Sequence, residues 1–534
     1  MSTTENLEVE AKFTVDPDTA VPALISLAEV ATVDPVETIN LSAVYYDTED
    51  LRLTRNKLTL RRRTGGADAG WHLKTPAEHG RIEYGAPLGE EGAAAPAEIL
   101  GPVRALIRDL PLKPIAQVDN RREQQILRDA TGAPVAEFCD DHVTAMSLLP
   151  GGEVTEWREW ELELAQGLPG TPRAAVLMRH AHSMLLAAGA DDSDSPSKLR
   201  TALGDSVDNV PLPDTPERPA KGTAARTVVD ALTANRDRLL QMDPAVRRDE
   251  EDSIHQMRVA TRELRSHLQT FEGILGGDEY ERVEKELKAL ASILGIARDA
   301  EVVAARFLAL LDRDETYVLP DATRADLTDT MTIEYKRAHR NVVLALDSER
   351  YLALLDSLDN LLLEPPVVSP RVEAEENEEG DVGKRGTSEI LSEHLATAYR
   401  DLRKKHRKAV KGREDTSLPL VDRENRFHSV RKAAKKLRYS AEAAQSAGLN
   451  TKKLIKACKK LQSALGDFQD TVTAREVLQR KAAFAHQKGH DTFGYGVLFQ
   501  IEYLDGHTAL QDYDELFASI ESEYATMIRK NDLG

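Results

Sequence analysis

The sequence predicts an α+β multidomain protein, an N-terminal antiparallel β-barrel followed by an all-α, internally duplicated helical bundle. Three observations carry the prediction. Short segments before residue 203 alternate charged with apolar residues, the period of a half-buried strand. Segments after residue 223 instead space Leu, Ala and Val at helical intervals. Within that second part a histidine followed by three cations occurs twice, at His255, Arg258, Arg262, Arg265 and at His428, Arg431, Lys435, Arg438.

The first strand, Leu7 to Phe13, places Glu8, Glu10 and Lys12 on one face and apolar residues on the other. Leu58 to Arg63 sets Arg61 beside Arg63, and Glu159 to Leu164 aligns Glu159, Glu161 and Glu163. One such strand alone is ordinary half-exposed sheet with its charges in water. Together the strands supply carboxylate pairs (Glu8 with Glu10, Glu161 with Glu163) and cations (Arg61, Arg63, Lys74, Arg81, Arg122). A closed barrel needs both sets if its polar lumen holds a metal ion and phosphate at once. Solvated strand faces are the competing reading.

Residues 204–222 contain four prolines among polar residues and read as an extended linker. Helical spacing then runs over about 223–243, 250–275, 280–295, 299–312, 325–345 and 349–363. It resumes over about 388–411, 424–446, 451–466, 469–488 and 496–530. The domains are therefore 5–203 and 223–530, the second with repeats at about 223–363 and 388–530 around an acidic loop at 364–387. Both histidine–cation sets run at offsets 0, +3, +7 and +10, which at about 100° per residue confines four side chains to a stripe of about 80°. Each basic rail is followed by a matching block, Leu294-Gly295-Ile296-Ala297-Arg298-Asp299 and Leu465-Gly466-Asp467-Phe468-Gln469-Asp470, which marks an internal repeat. Arg298 and Asp299 read as a helix-start device, with Asp299 at the positive end of a helix. Two related bundles about a pseudo-twofold axis would bring the rails to face each other along one groove.

The chain carries a formal net charge of −20, so clustered cations run against its background and point to a polyanionic partner. With 5% aromatic residues and few of them near the rails, base stacking has little to work with, and nucleic acid is disfavoured. A slim chain of phosphates fits better. Neighbouring cations should depress His255 and His428, leaving them as neutral N–H donors. No run of 18 apolar residues is present, and the opening Met1-Ser2-Thr3-Thr4-Glu5 is not a secretory signal. Two cysteines, Cys139 and Cys458, lie in different predicted domains, so the default compartment is the cytoplasm.

These residues resemble a known family. Glu8-x-Glu10-x-Lys12 matches the ExExK signature of CYTH domains, the triphosphate tunnel metalloenzymes. The resemblance continues in order through Tyr45-Tyr46-Asp47-Thr48, Leu60 to Arg63, Trp71 to Lys74, Arg81-Ile82-Glu83, Arg122, Glu159 to Glu163 and Ser197 to Arg200, covering about residues 5–202. The C-terminal half is similar to a CHAD domain, through His255 to Arg258, Leu294 to Asp299 and His428 to Tyr439. The resemblance implies that Glu8, Glu10, Glu161 and Glu163 hold Mg2+ or Mn2+. It implies that Lys12, Arg61, Arg63, Lys74, Arg122 and Lys198 hold triphosphate, and that Glu8, Glu10 and Lys12 are catalytic. Asp140, Asp141 and Glu137 are open candidates for a further acid. Of the adjacent Arg121 and Arg122, the latter is expected to face inward, and Glu83 is either a lumen acid or a strand ion-pair partner.

The expected function is metal-dependent hydrolysis of inorganic triphosphate or a related short triphosphate. The two rails would bind inorganic polyphosphate and associate the protein with polyphosphate granules. A non-catalytic polyphosphate-binding adaptor is the alternative, and adenylate cyclase chemistry on ATP a more distant one.

Overall fold

The computed structural model describes residues 4–531 except 78–79, 91, 212, 222, 271–274, 313–318, 368–381 and 447. Two compact units divide the chain, Met1–Asp214 and Thr215–Gly534.

In the first unit the strands are β1 (Thr4–Glu8), β2 (Glu10–Val15), β3 (Thr32–Val33), β4 (Glu37–Asp47), β5 (Thr59–Thr64) and β6 (Gly70–Pro76). They continue with β7 (Arg81–Pro87), β8 (Lys113–Arg128), β9 (Pro134–Ser147), β10 (Val154–Leu164) and β11 (Asp191–Asp192). They form one antiparallel sheet in the order β1-β7-β6-β5-β4-β8-β9-β10-β2-β11, with β3 beside β8. Only Val9 separates β1 from β2, yet β1 pairs with β7 at one end of this path and β2 with β10 near the other. Residues 4–15 therefore join the two ends, and the sheet curls on itself.

Short helices α1 (Arg52–Arg55), α2 (Ala97–Leu100) and α3 (Arg104–Ile107) and the longer α4 (Pro172–Ala187) and α5 (Lys198–Leu203) complete the unit. Phe13, Phe138, Trp160 and Leu162 pack under Leu177, Ala181 and Leu185 of α4. Leu60, Trp71 and Leu73 pack under Ile99, Val103 and Ile107, and Val118 and Val143 under Leu199 and Leu203. Burying the apolar half of each alternation beneath helices leaves the charged half on the inner face of the curled sheet.

The second unit is helical: α6 (Ala224–Arg247), α7 (Ser253–Thr270), α8 (Asp278–Asp312), α9 (Asp321–Leu346) and α10 (Glu349–Leu363), then α11 (Val382–Arg413), α12 (Leu420–Ser446), α13 (Lys452–Gln487), α14 (Phe493–Ala509) and α15 (Tyr513–Lys530). The duplication is visible in the packing. Helix α8 packs on α7, α9 and α10, and α13 packs on α12, α14 and α15. Each inner helix also meets its own counterpart, α6 with α11, α7 with α12 and α8 with α13, as a twofold relation requires. One apolar cluster spans both repeats, with Phe307, Leu311 and Leu327 against Val477, Leu478 and Leu498.

Several sequence-based boundaries are corrected. The breaks expected near residues 296–298 and 467–468 do not exist, since α8 and α13 run straight through Gly295 and Gly466. Each glycine is a packing position. A Cβ at Gly295 would lie 3.7 Å from the Arg258 guanidinium, and one at Gly466 would lie 3.1 Å from Arg431 Nη2. Asp299 consequently sits in the middle of α8, where it pairs with Arg258 at 3.5 Å, and is no helix-start device. The single helix expected at 496–530 is two, α14 and α15. Most of the acidic loop, residues 368–381, lies outside the described residues, and α11 already begins at Val382.

Candidate functional site

The inner face of the curled sheet encloses a cavity of about 190 Å³. Glu8, Glu10, Lys12, Arg61, Arg63, Lys74, Arg122, Glu161, Glu163 and Lys198 all line it, so strands β1, β2, β5, β6, β8 and β10 and the first residue of α5 converge there. Tyr45, Asp68, Arg81, Glu83, Glu137 and Ser197 also line it. Seven carboxylates and seven cations share the wall.

Strand register sorts these charges into rows. Glu163 stands opposite Glu10 on one side and Glu137 on the other, three carboxylates abreast across β2, β10 and β9. Like charges directly opposite one another repel. Among the described residues Glu163 has no cation within 4 Å, and burial, with Glu10 and Glu137 adding, pushes its carboxyl up to about 7. Glu8 lies 2.5 Å from Lys74 Nζ and is raised to about 8, by burial and by a hydrogen bond with Glu83.

The next rows are neutralised within the protein. Glu161 stands opposite Lys12 and contacts it, while Arg122 reaches Glu161 at 2.7 Å and grips Asp141 through two bonds of 2.8 and 2.7 Å. The Lys198 ammonium lies 2.8 Å from Asp141, 2.5 Å from Glu159 and 2.8 Å from Glu161. Burial alone would discharge Lys12 and Lys198, but their carboxylate partners outweigh it and both stay protonated. On the opposite wall Glu83 contacts His72 and lies 3.6 Å from both Arg61 and Lys74. Arg61 Nε and Arg63 Nε are buried without a hydrogen-bond partner, donors left for an anion.

Two open choices resolve. Arg122 faces the cavity, while Arg121 pairs with Glu123 on the outside at 2.5 Å. Asp141 joins the inner cluster, whereas Asp140 is held by Arg158 at 2.8 and 2.6 Å. Asp141, Glu159 and Glu161 form a buried group whose carboxylate oxygens all lie within 4.8 Å of one another, a set that could hold a metal ion. All-oxygen carboxylate donors suit Mg2+ or Mn2+ over softer ions. Alternation aligned Glu159 with Glu161 and Glu163 but gave it no ligand role, and Glu137, an open candidate from the sequence, is placed beside Glu163 by the β9–β10 register.

In the helical unit α7 and α12 pack together and bring the rails into one cluster. Arg258, Arg262, Arg431 and Arg438 all act on Lys435; burial first, then these cations, lower its amine to about 6. Arg262, Arg431 and Lys435 have no carboxylate within 4 Å among the described residues, and Arg258 Nε and Arg431 Nε are buried without a hydrogen-bond partner. The last position of each rail is less free. Arg265 is bound to Glu284 at 2.6 Å, and Arg438 lies 3.5 Å from Glu263 and stacks on Tyr439. Burial and neighbouring cations lower both His255 and His428, and His428 Nδ1 lies 2.8 Å from Gln469 Oε1. No helix among the described residues is long and apolar enough to cross a membrane.

A curled sheet with a charged interior, followed by a duplicated helical unit with paired basic rails, defines a two-domain class of protein. The CYTH domain family matches residues 6–189 and the CHAD domain family residues 230–479. The chain belongs to the CYTH–CHAD family. It is 40% identical over 509 residues to the uncharacterized protein Rv2226 of Mycobacterium tuberculosis strain H37Rv, covering 93% of each chain. Among solved structures, the CHAD domain of the plant Ricinus communis is 21% identical with a TM-score of 0.43, covering 57% of this chain and 96% of that one. The PH1819 protein of Pyrococcus horikoshii is 15% identical with a TM-score of 0.22, covering 37% and 98%.

Proposed function

We propose that the N-terminal cavity hydrolyses inorganic triphosphate with a divalent metal ion and that the helical groove binds inorganic polyphosphate. The observation that carries the first half is the cavity wall, where a carboxylate row, Glu10, Glu163 and Glu137, shares about 190 Å³ with seven cations. With Glu8 raised to about 8 and Glu163 to about 7, protons neutralise part of the carboxylate set, and ionising these groups beside an entering polyanion calls for positive charge in the protons' place. Mg2+ or Mn2+ held by Glu10 and Glu163, with Glu8 and Glu161 beside them, would supply it and polarise phosphoryl oxygens or water. Arg61, Arg63 and Lys74 then bind and orient the phosphates from the opposite wall. Lys12, Arg122 and Lys198 keep Glu161 ionised and fixed, and phosphoryl transfer needs little beyond such positioning and charge neutralisation. The cavity lies below the about 300–1,000 Å³ of drug-sized sites and has one aromatic ring, Tyr45, among its described lining residues, which favours an inorganic chain over a nucleotide.

Where the rails meet, Arg262 and Arg431 present guanidinium groups with no carboxylate within 4 Å among the described residues, and the buried Nε atoms of Arg258 and Arg431 await acceptors. Several linked phosphates satisfy all of them at once.

The test is orthophosphate release from triphosphate by the full-length protein with Mg2+ or Mn2+. Turnover should vanish with chelator and fall in Glu8→Gln. Absence of metal-dependent release would reduce the protein to a polyphosphate-binding adaptor. Replacing Arg258, Arg262, Arg431 and Arg438 with Ala should abolish polyphosphate binding and spare hydrolysis; equal loss of both would refute independent roles.

A further inference from the structure

His72 faces the interior of the curled sheet without being among the residues that line its cavity. Its neighbours on β6, Trp71 and Leu73, pack beneath the helices, so alternation turns His72 and Lys74 inward. The residue is 7% exposed. Its Nε2 stands 2.9 Å from the main-chain oxygen of Asp68, in the turn between β5 and β6; that oxygen can only accept, so Nε2 carries a proton. Its Nδ1 contacts Glu83 Oε1. Glu83 in turn faces two of the cations assigned to triphosphate, Arg61 at 3.6 Å and Lys74 at 3.6 Å. Both separations exceed a hydrogen bond, whereas the imidazole is in direct contact. Lys74 bonds Glu8 instead, at 2.5 Å, and Glu8 also hydrogen-bonds Glu83. Strand register sets this block, with His72 opposite Arg61 on β5 and Lys74 opposite Glu83 on β7.

We propose that His72 is a positioning residue for the triphosphate site: by occupying Glu83 it keeps that carboxylate off Arg61 and Lys74, whose N–H groups stay available to phosphate. The role rests on the triphosphate reading of the cavity, and it acts through Glu83 without contact between the ring and the substrate. Freed of the imidazole, Glu83 would close the gap of 3.6 Å onto either cation as a charge-assisted pair, stronger in a buried wall than in water. A triphosphate would then have to displace a carboxylate from its own binding groups. Glu83 is thus a competitor for the cations and His72 its restraint, anchored by the Asp68 carbonyl. Without the competitor, the restraint is unnecessary.

The experiment measures steady-state orthophosphate release from triphosphate with Mn2+ by the full-length protein and its variants, each checked for folding by thermal melting. His72→Ala should raise KM about 10- to 100-fold while kcat changes far less. Glu83→Gln, added to the His72→Ala protein, should return KM to near its native value. His72→Asn, which keeps a donor near the Nδ1 position, should raise KM less than His72→Ala does. If His72→Ala melts too low to assay, His72→Asn with and without Glu83→Gln makes the same comparison. An unchanged KM overturns the role, as does a raised KM that Glu83→Gln fails to restore, which is the result of a merely structural histidine. A loss confined to kcat also overturns it, because the ring would then bear on the chemical step. Absence of triphosphate turnover in the native protein overturns the role together with the reading of the cavity, whereas native turnover with an indifferent His72→Ala overturns the role alone.

Discussion

Polyphosphate binding should take up a proton at Lys435. The free amine stands at about 6, so at about pH 7 only about one molecule in ten carries its charge. A phosphate chain in the groove restores the ammonium to its ordinary range, near 10.4 for a free lysine, so the complex holds one proton more than the free protein. Affinity therefore falls as pH rises above the free value. Each unit costs about 1.4 kcal/mol, and between about pH 6 and about pH 8 the expected loss is about 50-fold. Isothermal titration in CO2-free buffers of different ionisation enthalpy measures both the affinity and the proton. Lys435→Arg keeps its charge throughout and should lose the dependence, while the titration of the phosphate chain ends affects both proteins alike. A native affinity that stays level over this range, or a slope retained in the arginine variant, would refute the reasoning.

Other outcomes follow from the cavity and the helices. Because coordination requires ionised carboxylates, and Glu163 and Glu8 stand at about 7 and about 8, Mn2+ affinity should climb between about pH 6 and about pH 9 with proton release; a pH-independent affinity would contradict the assignment. Glu163→Gln should lower metal affinity and turnover about 10- to 100-fold. Its melting temperature should hold or rise, because the row Glu10, Glu163, Glu137 loses one repelling member. Gly466→Ala should strengthen α13 by up to about 1 kcal/mol through helix propensity. Its Cβ, 3.1 Å from Arg431 Nη2, should displace that guanidinium and weaken polyphosphate binding, a rise in thermal stability paired with a loss of affinity. Gly295→Ala, with 3.7 Å available, should weaken binding less.

Much of this protein was legible from residue order because its information is periodic. Alternation over Glu159 to Leu164 revealed both strand type and which residues share a face; that over Leu7 to Phe13 grouped Glu8, Glu10 and Lys12, although the single strand expected there is broken at Val9 into β1 and β2; and the repeated offsets of the two rails revealed two equivalent helices. The same local rules misplaced helix ends at Gly295 and Gly466. Glycine usually marks a break, and nothing local shows that an arginine from another helix lies against each one.

Which strands neighbour each other is a nonlocal matter, and there only the tertiary structure could decide. Glu163 faces Glu10 and Glu137 through pairings that span up to about 150 residues, and a slip of one residue would turn those side chains outward. Asp141 was separated from Asp140 for the same reason, since adjacent residues of a strand point to opposite faces and the sequence alone does not say which face is enclosed. Residue order determined that paired carboxylates, clusters of cations and a duplicated helix set exist in this chain. Folding determined which charges neutralise one another and which stay unmet. Burial and proximity set that balance, and both depend on partners far away along the chain.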